Sequence, residues 1–368
     1  MYGEYHGSEG LGRVDDRGLA PLAALEQAIL PALQRPPCLV SFSGGRDSSG
    51  VLAAATGAAR REGLHPPVPV TLRVSNAPSA EESSWQEHVV RHLGLRDWQV
   101  LNVGADQMDR LGPLSTSLLR RHGLLYPPNT FLQLPLLEAA RGGLLLTGFG
   151  GDELFAAWGW WYLADLLAGR RRPTLRDARR LAYAAAPAGA RRRWDSRRGR
   201  FRDMPWLRPE AERIASRLAS AANAERPRSW RRWIGWLVRR RSLCAARWSL
   251  SLLAADAGVH LFHPLLDPTF LASVARRGGH LGFGDRTAVM RATFQGSLPD
   301  AVLRRPTKAR YGEAFWGRRT REFARLWGGA GVDGELVDPV ALRREWLKPN
   351  PHEDSAMLLH AAWLSEQS

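Results

Sequence analysis

The sequence contains almost no lysine: of its 52 basic residues only Lys308 and Lys348 are lysine, and the other 50 are arginine. So strong a skew reads as a bias of composition rather than as a surface designed for phosphate contacts. Cysteine is equally scarce. Cys38 and Cys244 are too few and too far apart for a disulfide framework or a CxxC metal site, and both are expected in the core. No run of 18 uncharged apolar residues occurs, which excludes a membrane-spanning helix. The opening "MYGEYHGSEGLGRVDD" has neither the basic start nor the apolar stretch of a signal peptide, so a soluble, cytoplasmic protein with no membrane contact is expected.

Acid is also in deficit. The formal charge is +16 and the pI about 11.1, values that often accompany nucleic-acid binding. The excess is concentrated, however: residues 191–241 hold 17 arginines against five acids.

What is present is an alternation of two periods. Residues 20–34 place apolar side chains at helical spacing, and Pro36-Pro37 ends that helix. The segments 38–42, 67–75, 98–103, 143–148 and 258–263 read as short strands, with a helical pattern such as 80–95 between them. Alternating strand and helix predicts an α/β fold, a five-stranded parallel sheet with helices on both faces and a large helical part after the fourth strand. In that part Trp230, Trp233, Ile234, Leu237, Cys244, Trp248 and Leu252 recur near 3.6 residues, predicting one amphipathic helix or a broken pair packed on the core. Residues 184–209, with Pro, Gly and charge without period, read as an exposed loop.

The chemistry concentrates at two turns. In "CLVSFSGGRDSSGVLAAA" (38–55) a strand breaks at two glycines and resumes as a helix. Backbone N–H groups at such a turn lack internal partners, and the helix dipole favours an anion there. Gly44 and Gly45 would let the backbone approach that anion closely, with the hydroxyls of Ser43, Ser48 and Ser49 adding donors. A carboxylate inside a phosphate nest repels its ligand unless a divalent cation bridges them, so Asp47 implies Mg²⁺. Alone, the loop would also read as a Gly-rich turn capped by Asp and Ser. The segment "LLLTGFGGDELFAAW" (144–158) repeats the logic, three glycines and then an acid pair opening a helix. If its strand lies beside the first, Asp152 joins Asp47 in one crevice and the two form a Mg²⁺ site.

The first loop resembles the SGGxDS loop of ATP pyrophosphatases, and the pair SGGxDS and GxGGDELF resembles the synthetase domain of the asparagine synthetase family. "GVHLFHPLLDPTFLASVA" (258–275) and "LPDAVLRRPTKARYGEAFW" (298–316) look like two further segments of that family, in the same order, so that the likeness covers about residues 20–325. The resemblance implies an adenine nucleotide alpha hydrolase-like fold and an ATP-dependent, AMP-forming carbon–nitrogen ligase using ATP and Mg²⁺. Carried over, Ser43, Gly44, Gly45, Asp47 and Ser48 would bind pyrophosphate, Asp47 and Asp152 the metal, and Thr147 with Gly148 the nucleotide. Lys308 falls where the family keeps a catalytic lysine. In a chain built on arginine, a lysine offers a compact point charge that guanidinium cannot. Lys348 sits in no motif and is expected in solvent.

Four parts are implied: a helical lead-in 1–36, the nucleotide-binding core 37–164, the Arg/Trp-rich excursion 165–257, and 258–368 with the fifth strand and Lys308. The departures concern the nucleophile. Residue 2 is Tyr2 rather than the glutaminase cysteine of asparagine synthetases; Phe149 stands where they have Glu and β-lactam synthetases have Tyr; His260 and Phe262 replace a Glu and an Arg. Carboxylate adenylation is retained and the acid-substrate end altered. The expected partner is a small molecule or peptide bearing a carboxylate and an amine, including a precursor peptide or partner protein, as in β-lactam or lasso peptide macrolactam formation. Asparagine synthesis from free ammonia or a separate glutaminase is the alternative. A tRNA-modifying enzyme is the further one, although nucleic acid is not the expected partner.

Overall fold

The computed structural model describes residues 18–75, 81–155, 159–169, 171–196, 201, 203–306 and 312–367. Five strands form one sheet: β1 (Cys38–Ser41), β2 (Val68–Val74), β3 (Gln99–Val103), β4 (Leu144–Leu146) and β5 (His260–Phe262). Their order is β3-β2-β1-β4-β5 and every pairing is parallel, with Leu39 opposite both Val68 and Leu145, and Leu145 opposite Leu261. Parallel neighbours need crossovers, and helices such as Arg46–Arg61 and Ser83–His92 supply them.

Both sheet faces are buried, which is why the strands read as near-continuous apolar runs. Because side chains alternate along a strand, Cys38, Val40, Leu144 and Leu146 enter one core. That core is built with helices Pro21–Leu33, Arg46–Arg61 and Pro268–Gly278. Leu39, Val70, Val103 and Leu145 enter the other, with Phe131, Trp346 and Leu359. Cys38 is buried as expected, and burial pushes its thiol up to about 12. Lys348 is half exposed and paired with Glu345.

Two expectations need correction. Residues 184–209 are not an exposed loop throughout, because Leu175–Ala185 and Ala188–Ser196 are helices on either side of Pro187. Aromatic packing holds this charge-rich stretch: the Tyr183 ring stacks on Trp160 at 5.9 Å and meets Trp194 edge-on at 6.0 Å. Its hydroxyl also donates to Asp195 at 2.6 Å. The Trp stripe does not continue through Trp248. The broken pair, one of the two expected forms, is the one observed, as Trp230–Leu237 and Arg241–Ala257, but the turn between them shifts the phase. Leu243, Ala246, Leu250 and Leu253 face inward on the second helix, and Trp248 is 63% exposed. Among the described residues, no helix is long and apolar enough to cross a membrane.

Candidate active site

The sheet order reverses between β1 and β4, so the loops leaving their carboxyl ends diverge around one crevice. The two glycine segments are those loops. Ser43, Gly45, Asp47, Ser48, Thr147, Gly148 and Asp152 line a single cleft of about 460 Å³, bringing together nearly all the site residues expected from sequence.

Gly44 sits just behind the lining. Its φ of +81° suits glycine, and a Cβ there would stand 2.8 Å from Gln86 Cγ. Gln86, from the helix after β2, also donates from Nε2 to the Ser43 carbonyl at 3.2 Å, clamping the loop from below. Within the loop the Ser43 N–H donates to Ser48 Oγ at 3.2 Å, the Gly45 N–H to Ser43 Oγ at 3.3 Å, and Ser48 Oγ to the Gly45 carbonyl at 3.2 Å. The helix Arg46–Arg61 then begins with Arg46, Asp47 and Ser48 in the cleft lining, and the N–H groups of a helix's first turn lack helical partners. The second loop packs directly on the first. A Cβ at Gly148 would lie 2.8 Å from Ser48 N, and one at Gly151 would lie 2.5 Å from Asp47 Cβ.

Asp47 and Asp152 converge, and Arg286 joins them. Its Nη2 donates to Asp47 Oδ1 and Oδ2 at 2.8 and 2.7 Å, and its Nη1 to Asp152 Oδ1 at 3.0 Å. Burial works against the guanidinium charge, but Asp47 and Asp152 outweigh it and hold Arg286 above its ordinary pKa. Burial, with Arg286 adding, draws the neighbouring Arg46 down. Burial also raises the Glu153 carboxyl above the usual carboxylate range, with Asp152 contributing. Among the described residues no group of three or more metal-ligating side chains occurs. A pair is what Mg²⁺ requires when substrate phosphates and water complete its octahedron, and two hard carboxylates reaching one cationic centre fit that ion. The cleft volume fits a nucleotide.

Part of the lining is apolar, made by Phe149, Leu137, Leu250 and Leu261. Thr147 Oγ1 accepts the Phe149 N–H at 3.2 Å and lies 2.7 Å from His263 Nδ1, and the Phe149 and His263 rings stand 4.8 Å apart. Burial, assisted by Arg247, lowers His263 to about 4, so its imidazole is neutral at pH 7. Beneath the first loop Arg305 pairs with Glu82, both buried, and its Nη1 donates to the Gly44 carbonyl at 2.9 Å.

Lys308 lies outside the described residues. Sequence reasoning missed Arg286, Gln86, Glu82 and Arg305, the groups that brace or bridge the loops. Only Arg305 carried a signal, its place in the segment that also holds Lys308.

A search of curated proteins finds no match to this chain. The family model for asparagine synthase matches residues 22–365, nearly the whole sequence. The chain therefore belongs to the asparagine synthase family, whose synthetase domain is an ATP-dependent ligase forming carbon–nitrogen bonds.

Proposed function

We propose that the chain activates a substrate carboxylate with ATP and transfers the acyl group to an amine. A carboxylate oxygen attacks the α-phosphorus, the α–β phosphate bond breaks, and pyrophosphate leaves. The amine nitrogen then attacks the acyl carbon, AMP leaves, and the nitrogen loses one proton. The observation that carries this reading is the convergence of Asp47 and Asp152 beside the N-terminus of the helix Arg46–Arg61 at the sheet's switch point.

In this reading Ser43, Gly44, Gly45 and Ser48 hold the departing pyrophosphate through hydroxyl and backbone donors. Thr147 and Gly148 border the nucleotide, and Asp47 with Asp152 hold Mg²⁺. When bound, the ion neutralises phosphate charge and stabilises the leaving group. Lys308 supplies a point charge near the reacting centre. The apolar wall around Phe149, which has no side-chain base to offer an amine, favours a larger and less polar substrate than aspartate with ammonia. A substrate whose own amine closes a ring, as in lasso peptide macrolactam formation, fits that wall.

The test is chromatography of nucleotide products after incubation with linear peptides bearing a free amine and a side-chain carboxylate, and separately with aspartate and ammonia. AMP with a cyclic amide is expected. ADP as product refutes adenylation, and AMP formed only with aspartate and ammonia refutes the cyclase reading.

A further inference from the structure

The Arg286 guanidinium lies where a cation shared by Asp47 and Asp152 would sit, making three hydrogen bonds of 2.7–3.0 Å to the two carboxylates. Its placement is built into the fold. Arg286 opens the helix Arg286–Phe294, whose N-cap Asp285 accepts the Ala288 N–H at 2.9 Å. At the other end of that helix Phe294 is fully buried against Gly50 of the helix that carries Asp47; a Cβ on Gly50 would stand 2.5 Å from the ring. The arginine and the aspartate thus sit on two helices fixed to one another. Nη2 meets both oxygens of Asp47 while Nη1 reaches Asp152, so the planar fork spans the two carboxylates.

A guanidinium and a divalent ion cannot occupy the same space between two carboxylates, and their like charges repel. Metal entry therefore requires Arg286 to leave, and leaving is costly unless another anion receives it. A triphosphate offers that anion, because phosphate oxygens match the guanidinium fork as carboxylate oxygens do.

We propose that Arg286 is an internal counter-cation that keeps the Asp47–Asp152 pair closed to divalent metal until nucleotide phosphates draw it away. Metal and nucleotide then bind as a coupled pair, and free divalent ions at cellular levels do not fill the site. This inference rests on the reading of Asp47 and Asp152 as metal ligands. Because coupling is reciprocal, nucleotide raises metal affinity by the same factor that metal raises nucleotide affinity.

The experiment titrates the full chain with Mn²⁺, following free ion by its paramagnetic resonance signal, with and without a non-hydrolysable ATP analogue. The parent, Arg286→Gln and Arg286→Lys are compared. The parent is expected to bind Mn²⁺ weakly alone and at least about tenfold more tightly with the analogue, within the usual range of coupling factors. Arg286→Gln is expected to bind Mn²⁺ at least about tenfold more tightly than the parent without nucleotide, and to lose most of the coupling. Arg286→Lys, which keeps the charge but not the fork, should fall between them and serves if the glutamine variant does not fold. Metal affinity unchanged or weakened in both variants, while the parent still binds Mn²⁺ with the analogue, overturns the counter-cation role and leaves the metal site standing. No Mn²⁺ binding in any variant, with or without the analogue, overturns both.

Discussion

His263 Nδ1 and Thr147 Oγ1 lie 2.7 Å apart behind the nucleotide cleft, joining β4 to the turn after β5. The threonine hydroxyl already accepts the Phe149 N–H, so its own proton is free to go to a neutral imidazole. A charged imidazolium cannot accept it. An imidazolium could only donate to the hydroxyl's second lone pair, reversing this bond, and burial keeps His263 neutral at pH 7 by lowering its pKa from 6.5 to about 4.

Acid should therefore weaken the fold before carboxylates titrate. His360, buried beside the Arg110 carbonyl, is likewise lowered from 6.5 to about 3, by burial and then by Arg110. Between pH 6.5 and about 4 the unfolded chain binds protons that these folded histidines refuse, so stability is present above that window and is lost as pH falls through it. Each contributes a slope of up to about 1.4 kcal/mol per pH unit. Urea unfolding at a series of pH values should show this slope in the parent and a shallower one in His263→Asn. An identical pH profile in the variant would contradict the assignment.

Asp47→Asn and Asp152→Asn should each lower turnover by orders of magnitude with the fold intact. This follows from the proposal that both acids act through a bound cation rather than through packing. Asp47 should be the more severe in metal binding, since it carries two of the three bonds to Arg286 and its side chain is 14% exposed against 52% for Asp152. Circular dichroism and pyrophosphate release, measured on the same preparations, separate folding from chemistry. Parent-like turnover in either variant would remove that residue from the metal site.

The two glycine loops were legible because their chemistry is local: a strand, a tight turn and a helix start lie within ten residues of one another, and the acid sits inside the nest. Their juxtaposition was conditional on β4 lying beside β1, which the alternation of strands and helices left open and the sheet order supplies. Arg286 was not legible. It lies 239 residues from Asp47 and 134 from Asp152, in a chain where one arginine among 50 carries no mark. Glu82 and Arg305 meet across 223 residues for the same reason. The helix Ala188–Ser196 was hidden differently, since the aromatic contacts that hold it come from Trp160 and Tyr183, outside its own period.

The buried pair of Glu82 and Arg305 should be costly to break and cheap to replace. Arg305 stacks 4.8 Å over Trp85 as well as holding the Gly44 carbonyl. Arg305→Ala would take a buried ion-pair partner from Glu82, at a cost of about 3–5 kcal/mol in urea unfolding, whereas Glu82→Leu with Arg305→Met should recover most of it. Nucleotide affinity should stay reduced in the double variant, because the Gly44 carbonyl has lost its donor. Full recovery of both quantities would reduce Arg305 to a packing role.

Lys308 should act on the transition state rather than on ATP binding. Attack of a carboxylate on the α-phosphorus builds negative charge on phosphate oxygens, and attack of an amine on the acyl carbon builds an oxyanion. A preorganised ammonium near both is worth about 3 to 4 kcal/mol, on the scale of one oxyanion donor. Lys308→Ala should thus lower kcat by roughly 100- to 1000-fold with little change in ATP affinity. Lys308→Arg should rescue poorly, since a planar fork does not replace a point charge in a tight pocket, even in a protein that uses arginine for 50 of its 52 basic residues. Calorimetric ATP binding and pyrophosphate release in both variants test this. If Lys308→Ala turns over like the parent, or if its only defect is lost ATP binding, another cation serves the reacting centre, and Arg46, which already lines the cleft, is the next to replace.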